Sequence, residues 1–271
     1  MDNPKKLFLK LTNQTERSSM KTTDITITHH QRSICGTFIQ PDCTGVFPAV
    51  IFSHGYNGSG HDFESISAFL AENNIASFCY DFCGGSVNAR SSMPTTDMTI
   101  FTEKEDLHSV FQYVKGLNSI QSENIFLFGG SQGGLVSALT TEELLDEVRG
   151  LILLFPAMCI ADDWNKHFQS ECDIPEVHEF WGMQLGKNFF MSLRGFDVFQ
   201  NIGVYQRNVQ IVYGSDDPVV PLSYMEKLTT IYPHAKLDIF PHEGHGFTDE
   251  GNQKLAEITL AFIHQNKISA K

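Results

Sequence analysis

The sequence predicts an α/β chain built on a mostly parallel, doubly wound sheet. Three observations carry the prediction. Short, mostly apolar runs recur at 48–52, 75–82, 124–128, 151–155, 208–213 and 235–240, the form that buried parallel strands take. Segments of helical spacing lie between most of them, so strands and helices alternate. Several runs end in glycine-rich turns, which is where sheets of this class gather ligands.

Taken in order, residues 1–22 are polar and uneven and are expected to form a loose N-terminal arm before a single domain over 23–271. Residues 23–29 and 32–40 alternate around a short break, the pattern of an antiparallel hairpin. The run 48–52 ends in Ser53-His54-Gly55-Tyr56-Asn57-Gly58. Phe63, Ile66, Phe69 and Leu70 then mark a helix over 61–73, and 75–82 reads as the next buried strand. Ile100, Leu107, Val110, Phe111 and Val114 trace an amphipathic helix closed by Gly116. The strand 124–128 leads into Gly129-Gly130-Ser131-Gln132-Gly133-Gly134-Leu135 and a helical run to 148. A further strand over 151–155 stops at Pro156.

From about 157 to 207 the alternation breaks. This stretch carries both tryptophans, Trp164 and Trp181, with Phe168, Phe180, Phe189, Phe190, Phe196 and Phe199, and is too apolar for a solvated loop. The expectation is a small helical or irregular lid packed over a site. Regular structure returns with a strand at 208–213, a helix at 222–232, a strand at 235–240 and a closing helix from about 252 to 265.

Composition narrows the function classes. A chain of 271 residues with 41% hydrophobic and 19% charged residues is an ordinary globule with room for a large core. The net charge of −13 argues against nucleic acid and anionic membrane surfaces, both polyanions. No run approaches the ~18 apolar residues of a membrane helix, and the first ten residues hold no apolar signal core. The six cysteines form no disulfide framework and are expected to be reduced and mostly buried, which points to the cytoplasm. Cys79 and Cys83 lack a second pair, so no zinc site is expected. His242-Glu243-Gly244-His245 spaces its histidines by three within a turn rather than by four on a helix, so no catalytic metal is expected there either. Gly84-Gly85-Ser86 lacks the spacing of a dinucleotide loop, so no cofactor is predicted.

The chemistry is carried by Ser131. Gly129, Ser131 and Gly133 have the spacing of a nucleophile elbow, in which a serine stands on a turn too tight for side chains two positions away. A serine hydroxyl is nearly inert at neutral pH without a base, and the base works best when a carboxylate orients it. Asp217 and His245 each follow a predicted strand, and the order Ser131, Asp217, His245 suits one crevice at the strands' C-terminal ends. Asp216 is the alternative acid. An oxyanion site needs two backbone N–H groups, expected from Gln132 and from Tyr56 in the His54-Gly55-Tyr56 loop. His54 is expected to brace that loop.

With these motifs in place, the chain resembles the α/β-hydrolase superfamily over roughly 25–267, and within it the compact bacterial cinnamoyl and feruloyl esterases. The resemblance rests on Ile51-Phe52-Ser53-His54-Gly55, Asn74-Ile75-Ala76-Ser77 through Asp81-Phe82, Gly130-Ser131-Gln132-Gly133-Gly134, Gly214-Ser215-Asp216-Asp217-Pro218-Val219-Val220 and Gly244-His245-Gly246-Phe247. It implies an α/β-hydrolase fold, a Ser131–His245–Asp217 triad, and an inserted lid that grips an aromatic acyl group. Asp163 falls where an aspartate meets the phenolic end of such a group, with Trp164, Trp181 and Phe189 as further contacts. The chain departs from the pattern at Gly130, where these esterases carry histidine. It departs again at Cys83-Gly84-Gly85, where they carry Gly-His-Gly, and at Phe189, where a tyrosine is expected. The expected activity is hydrolysis of small carboxylic esters through an acyl-enzyme. Thioester or aminoacyl-amide hydrolysis is the alternative on the same triad, and a silent hydrolase-fold binding protein a more distant one. A small-molecule ester is the expected partner, and the sequence leaves open whether the protein is a monomer or a homodimer.

Overall fold

The computed structural model describes residues 20–269. The arm expected over 1–22 lies outside the described residues as far as 19. From Met20 onward the chain is already in a strand, three residues earlier than the sequence suggests. β1 (Met20–His29) pairs antiparallel with β2 (Arg32–Pro41), from Met20 opposite Pro41 to His29 opposite Arg32.

The rest of the sheet comes from β3 (Phe47–Ser53), β4 (Ala76–Tyr80), β5 (Ile120–Gly130), β6 (Val148–Leu154), β9 (Val209–Gly214) and β10 (Ala235–Phe240). The eight strands lie in the order β1-β2-β4-β3-β5-β6-β9-β10. β2 pairs antiparallel with β4, and every later pairing is parallel. This is the mostly parallel sheet that the alternating sequence predicts. All seven residues of β3 are buried, as a strand covered on both faces requires.

The helices between strands are α1 (Glu64–Glu72), α2 (Ile100–Lys115), α3 (Gln132–Glu143), α6 (Leu222–Ile231) and α7 (Asp249–Asn266). α2 begins where Thr99 caps it, its side chain accepting from the Thr102 N–H. α3 follows Ser131 directly and buries all but the last two of its twelve residues. Its buried threonines, Thr140 and Thr141, donate back to Val136 O and Ser137 O, which meets their hydroxyls in a helix with almost no solvent face. The helical run read to 148 ends instead at Glu143. Val148 is taken by the sheet, opposite Ile125 of β5, and strand pairing overrides local propensity there.

Between β6 and β9 lie α4 (Ile160–His167), β7 (Val177–Phe180), β8 (Met183–Gly186) and α5 (Lys187–Ser192). The expectation of helices or irregular chain is corrected here by a two-stranded hairpin, β7 and β8, separate from the main sheet. Its turn, Trp181-Gly182, holds both residues at positive φ (45° and 78°), the backbone of a tight two-residue hairpin. The sequence hides it because tryptophan stands where asparagine or aspartate usually marks such a turn. The inserted segment is tied to the body. Glu142 of α3 accepts from the N–H groups of Gly203, Val204 and Tyr205 at 2.7, 2.9 and 3.1 Å. Tyr224 of α6 donates to Asp162 Oδ2 at 2.6 Å.

All six cysteines are free thiols. Only Cys79, Cys83 and Cys159 are buried, fewer than expected, because Cys43 lies in an exposed loop, Cys172 in an exposed 3-10 turn, and Cys35 is partly covered. No described helix is long and apolar enough to cross a membrane.

Candidate active site

Ser131 sits between the end of β5 and the start of α3, at φ 52° and ψ −120°. A non-glycine residue in that region is strained, and the surroundings hold it there. The Ser131 N–H donates to Leu154 O at 3.0 Å, and its carbonyl accepts from Gly134 and Ala157, each at 2.9 Å. The flanking glycines are steric requirements. A Cβ on Gly129 would lie 2.2 Å from Gly133 O, and one on Gly133 would lie 2.3 Å from both Ser53 O and His54 O. Gly130 differs, since a Cβ there would make only ordinary contacts, 3.6 Å from Phe63 Cζ and 4.0 Å from Leu154 Cδ2.

Three separate strand ends converge on this serine. His245, five residues beyond β10, places Nε2 2.8 Å from Ser131 Oγ and Nδ1 2.7 Å from Asp217 Oδ2. With Nδ1–H donated to the carboxylate, Nε2 is left as the acceptor facing the serine hydroxyl. Asp217, three residues beyond β9, has a fully buried side chain. Its other oxygen accepts from the Val219 and Val220 N–H groups at 2.7 and 3.0 Å. Burial pushes the Asp217 carboxyl up, but the His245 bond and the two amides outweigh it, and the group is held below the usual aspartate range. Asp216 points elsewhere, toward Ser215 and His242 on the surface. The ring of Phe155, at φ 34°, lies against the His245 imidazole with centroids 4.5 Å apart, a contact the sequence reading missed.

The loop after β3 packs directly on the serine, since a Cβ on Gly55 would lie 3.1 Å from Ser131 Cβ. Among the described residues, no acceptor meets the N–H of Tyr56 or of Gln132, which opens α3. His54 is buried and bonded on both nitrogens. Its Nε2 accepts from Phe82 N–H at 3.0 Å, so the proton sits on Nδ1 and goes to Gly55 O at 2.7 Å. Burial, opposed by the bond to Gly55, lowers its pKa, and the ring stays neutral.

Two cavities meet at Ser131, with Tyr56 and Trp181 lining both. The smaller, about 230 Å³, runs under the inserted segment and includes Asp163, Trp164, His167, Phe180 and Phe189. Trp164 packs edge-on to Phe180 and Phe190 with centroids 5.0 and 4.7 Å away. Phe189 is buried, Asp163 is half-exposed, and Trp181 is 61% exposed at the hairpin tip. Asp163, Trp164, Trp181 and Phe189, the four residues of the inserted segment singled out in the sequence, therefore line one cavity. The Tyr56 hydroxyl donates to Phe180 O at 2.7 Å, fastening the hairpin to the loop beside the serine. The larger cavity, about 770 Å³, opens between α1 and α7 and includes Gly130, Asp62, Phe69, His245, Asp249 and Asn252. Among the described residues, no group of three or more His, Cys, Asp or Glu is arranged to hold a metal ion.

Residues 46–189 match the family model described as serine aminopeptidase, S33. The chain belongs to that family. It is an α/β hydrolase, and the fold expected from the sequence is the fold of its structural neighbours. Among these is Est1E from Butyrivibrio proteoclasticus with ferulic acid bound, at a TM-score of 0.81 and 22% identity over 89% of this chain and 98% of that one. Another is the α/β hydrolase domain-containing protein 10 from mouse, at a TM-score of 0.73 and 14% identity over 90% and 100%. At these identities the likeness is one of fold. In sequence, 115 residues are 29% identical to the putative carbamate hydrolase RutD of Caulobacter sp. (strain K31), a match spanning 41% of this chain and 41% of that relative.

Proposed function

We propose that this hydrolase cleaves small carboxylic esters through an acyl-enzyme on Ser131. The observation that carries the reading is the unbroken relay from Ser131 Oγ through His245 to the buried Asp217, at 2.8 and 2.7 Å. In this mechanism Ser131 Oγ attacks the ester carbonyl as His245 Nε2 takes its proton. The carbonyl oxygen, now negative, is met by the N–H groups of Tyr56 and Gln132. His245 returns the proton to the departing alcohol, water then repeats the attack on the acyl-enzyme, and Asp217 keeps the imidazole in the productive tautomer throughout.

In this reading each cavity takes one half of the ester. The smaller lies below the range of about 300–1,000 Å³ common for drug-sized ligands, and its aromatic walls suit a small, flat acyl group. A hydroxycinnamoyl group of the ferulic type fits that description, with Asp163 near its polar end. The inserted segment then acts as a lid over the acyl site. The larger cavity takes the alcohol. Asp62 and Asp249 line it and, among the described residues, no lysine or arginine does, which disfavours an anionic leaving group such as the phosphorylated carrier of most thioesters.

Purified protein should hydrolyse p-nitrophenyl butyrate and methyl ferulate, and a fluorophosphonate probe should label Ser131. Ser131→Ala should remain folded and lose several orders of magnitude in turnover. Parent-rate hydrolysis by that variant would overturn the mechanism. Faster cleavage of aminoacyl p-nitroanilides than of esters would move the activity to aminoacyl amides, as the family's description suggests.

A further inference from the structure

One buried acid near Ser131 has no part in the relay. Glu103, in the first turn of α2, is 1% exposed, and both its carboxyl oxygens lie against Gln132 Nε2, at 2.9 and 2.8 Å. Gln132 is itself 2% exposed, and Met98 Sδ, at 3.9 Å, is the other neighbour of that nitrogen. The carboxyl also lies beside Gly85, next to the imidazole that braces the second arm of the oxyanion site. At Gly85, a Cβ would lie 3.1 Å from Glu103 Oε1 and 3.2 Å from His54 Cε1, so the carboxyl and the bracing imidazole close around one glycine. His54 in turn holds the Gly55-Tyr56 loop.

From this geometry, and resting on the esterase reading above, we infer that Glu103 is a positioning residue for the oxyanion site: it fixes the Gln132 side chain so that the first turn of α3 presents its free N–H at Ser131. Gln132 opens α3, so its backbone has no preceding helical turn to hold it, and the side chain is the handle by which the body of the protein can set its angle. A misplacement of about 1 Å in such a site costs on the order of 100-fold in rate. The surroundings also keep the handle free of charge. Burial, opposed by the Gln132 bond and reinforced by Asp106 one turn on in the same helix, pushes Glu103 up to about 8, so near pH 7 it is mainly neutral. A full negative charge beneath amides that must meet an oxyanion would oppose catalysis.

The test is steady-state kinetics on p-nitrophenyl butyrate with the parent and four variants. Glu103→Ala should lower kcat by about 10- to 100-fold with KM within about threefold, the signature of a contact felt only in the transition state. Glu103→Gln, which keeps the shape and the amide contact, should restore most of that loss. Gln132→Met keeps the backbone N–H but removes the side-chain handle, and it should reproduce the loss even if Glu103→Ala folds poorly. The double variant should be no worse than the more impaired single variant, because the two residues act through one contact. Parent kcat in folded Glu103→Ala or in Gln132→Met would overturn the inference, as would additive losses in the double variant. If the parent itself neither turns over esters nor takes the fluorophosphonate at Ser131, the esterase reading fails first and this inference with it. An active, Ser131-dependent parent with unaffected variants removes only the role of Glu103.

Discussion

His245 Nδ1 and Asp217 Oδ2 are 2.7 Å apart, while the neighbouring Asp216 carboxylate turns away to Ser215 and the exposed His242. Two adjacent aspartates thus sit in opposite environments. Under the proposed mechanism, Asp217→Asn should lower kcat by about 10⁴-fold, because an amide in that place favours the wrong imidazole tautomer. Asp216→Asn should stay within about twofold of the parent. The folded pKa of Asp217 is depressed, so the stability it contributes is present above the unfolded aspartate value and is lost as pH falls through the folded one. The parent should therefore lose this contribution as pH drops below the ordinary aspartate range, and Asp217→Asn, which has no such carboxyl, should show a shallower loss there. Ester kinetics and chemical denaturation of the two variants check both statements.

His54 provides a second pH signature, with the opposite origin. Its Nε2 lone pair is occupied by the Phe82 N–H, so a proton there would have to displace a buried hydrogen bond. Burial lowers the folded pKa below the ordinary histidine value. Between the two values the unfolded chain takes a proton that the folded chain refuses. The stability is therefore full above the unfolded value and falls as pH drops below it. One such proton is worth about 1.4 kcal/mol per pH unit across that window. Denaturation at pH 7.5 and 5.5 should show this loss in the parent, and a shallower loss in His54→Gln, whatever that variant's absolute stability.

Much of this arrangement was legible in the sequence because its signals are local. The approach of Ser131, Asp217 and His245 follows from their positions, each just beyond an apolar run, since parallel strands deliver their C-terminal ends to one edge. The elbow glycines were equally readable, because a tight turn must use glycine wherever backbone meets backbone. What escaped notice depends on distant chain segments. Glu103 looks like a solvent-facing residue of an amphipathic helix until α3 is laid across it. Phe155 reads as the last residue of a strand and not as the wall behind His245. The β7–β8 hairpin carries no turn signature, and it is held by the Tyr56 hydroxyl 124 residues earlier in the chain.

The elbow offers a prediction in which adjacent glycines behave differently. Gly129 has no space for a Cβ, 2.2 Å from Gly133 O, so Gly129→Ala should fail to give folded protein. Gly130 has room, its nearest contact being the edge of the Phe63 ring at 3.6 Å, and it needs no positive φ. Glycine within a strand also weakens it, so Gly130→Ala should lie within about 1 kcal/mol of the parent. Gly130 lines the larger cavity, and the cinnamoyl and feruloyl esterases that the chain resembles carry histidine at this position. A histidine here would project into the space assigned to the alcohol. Gly130→His should therefore keep the fold and the fluorophosphonate reaction at Ser131, while kcat/KM falls for esters of bulky alcohols and holds for methyl esters. Competition between a methyl ester and a bulky ester of the same acid measures this directly, because the acyl side is identical in both. An unchanged ratio would mean that the leaving group does not enter between α1 and α7.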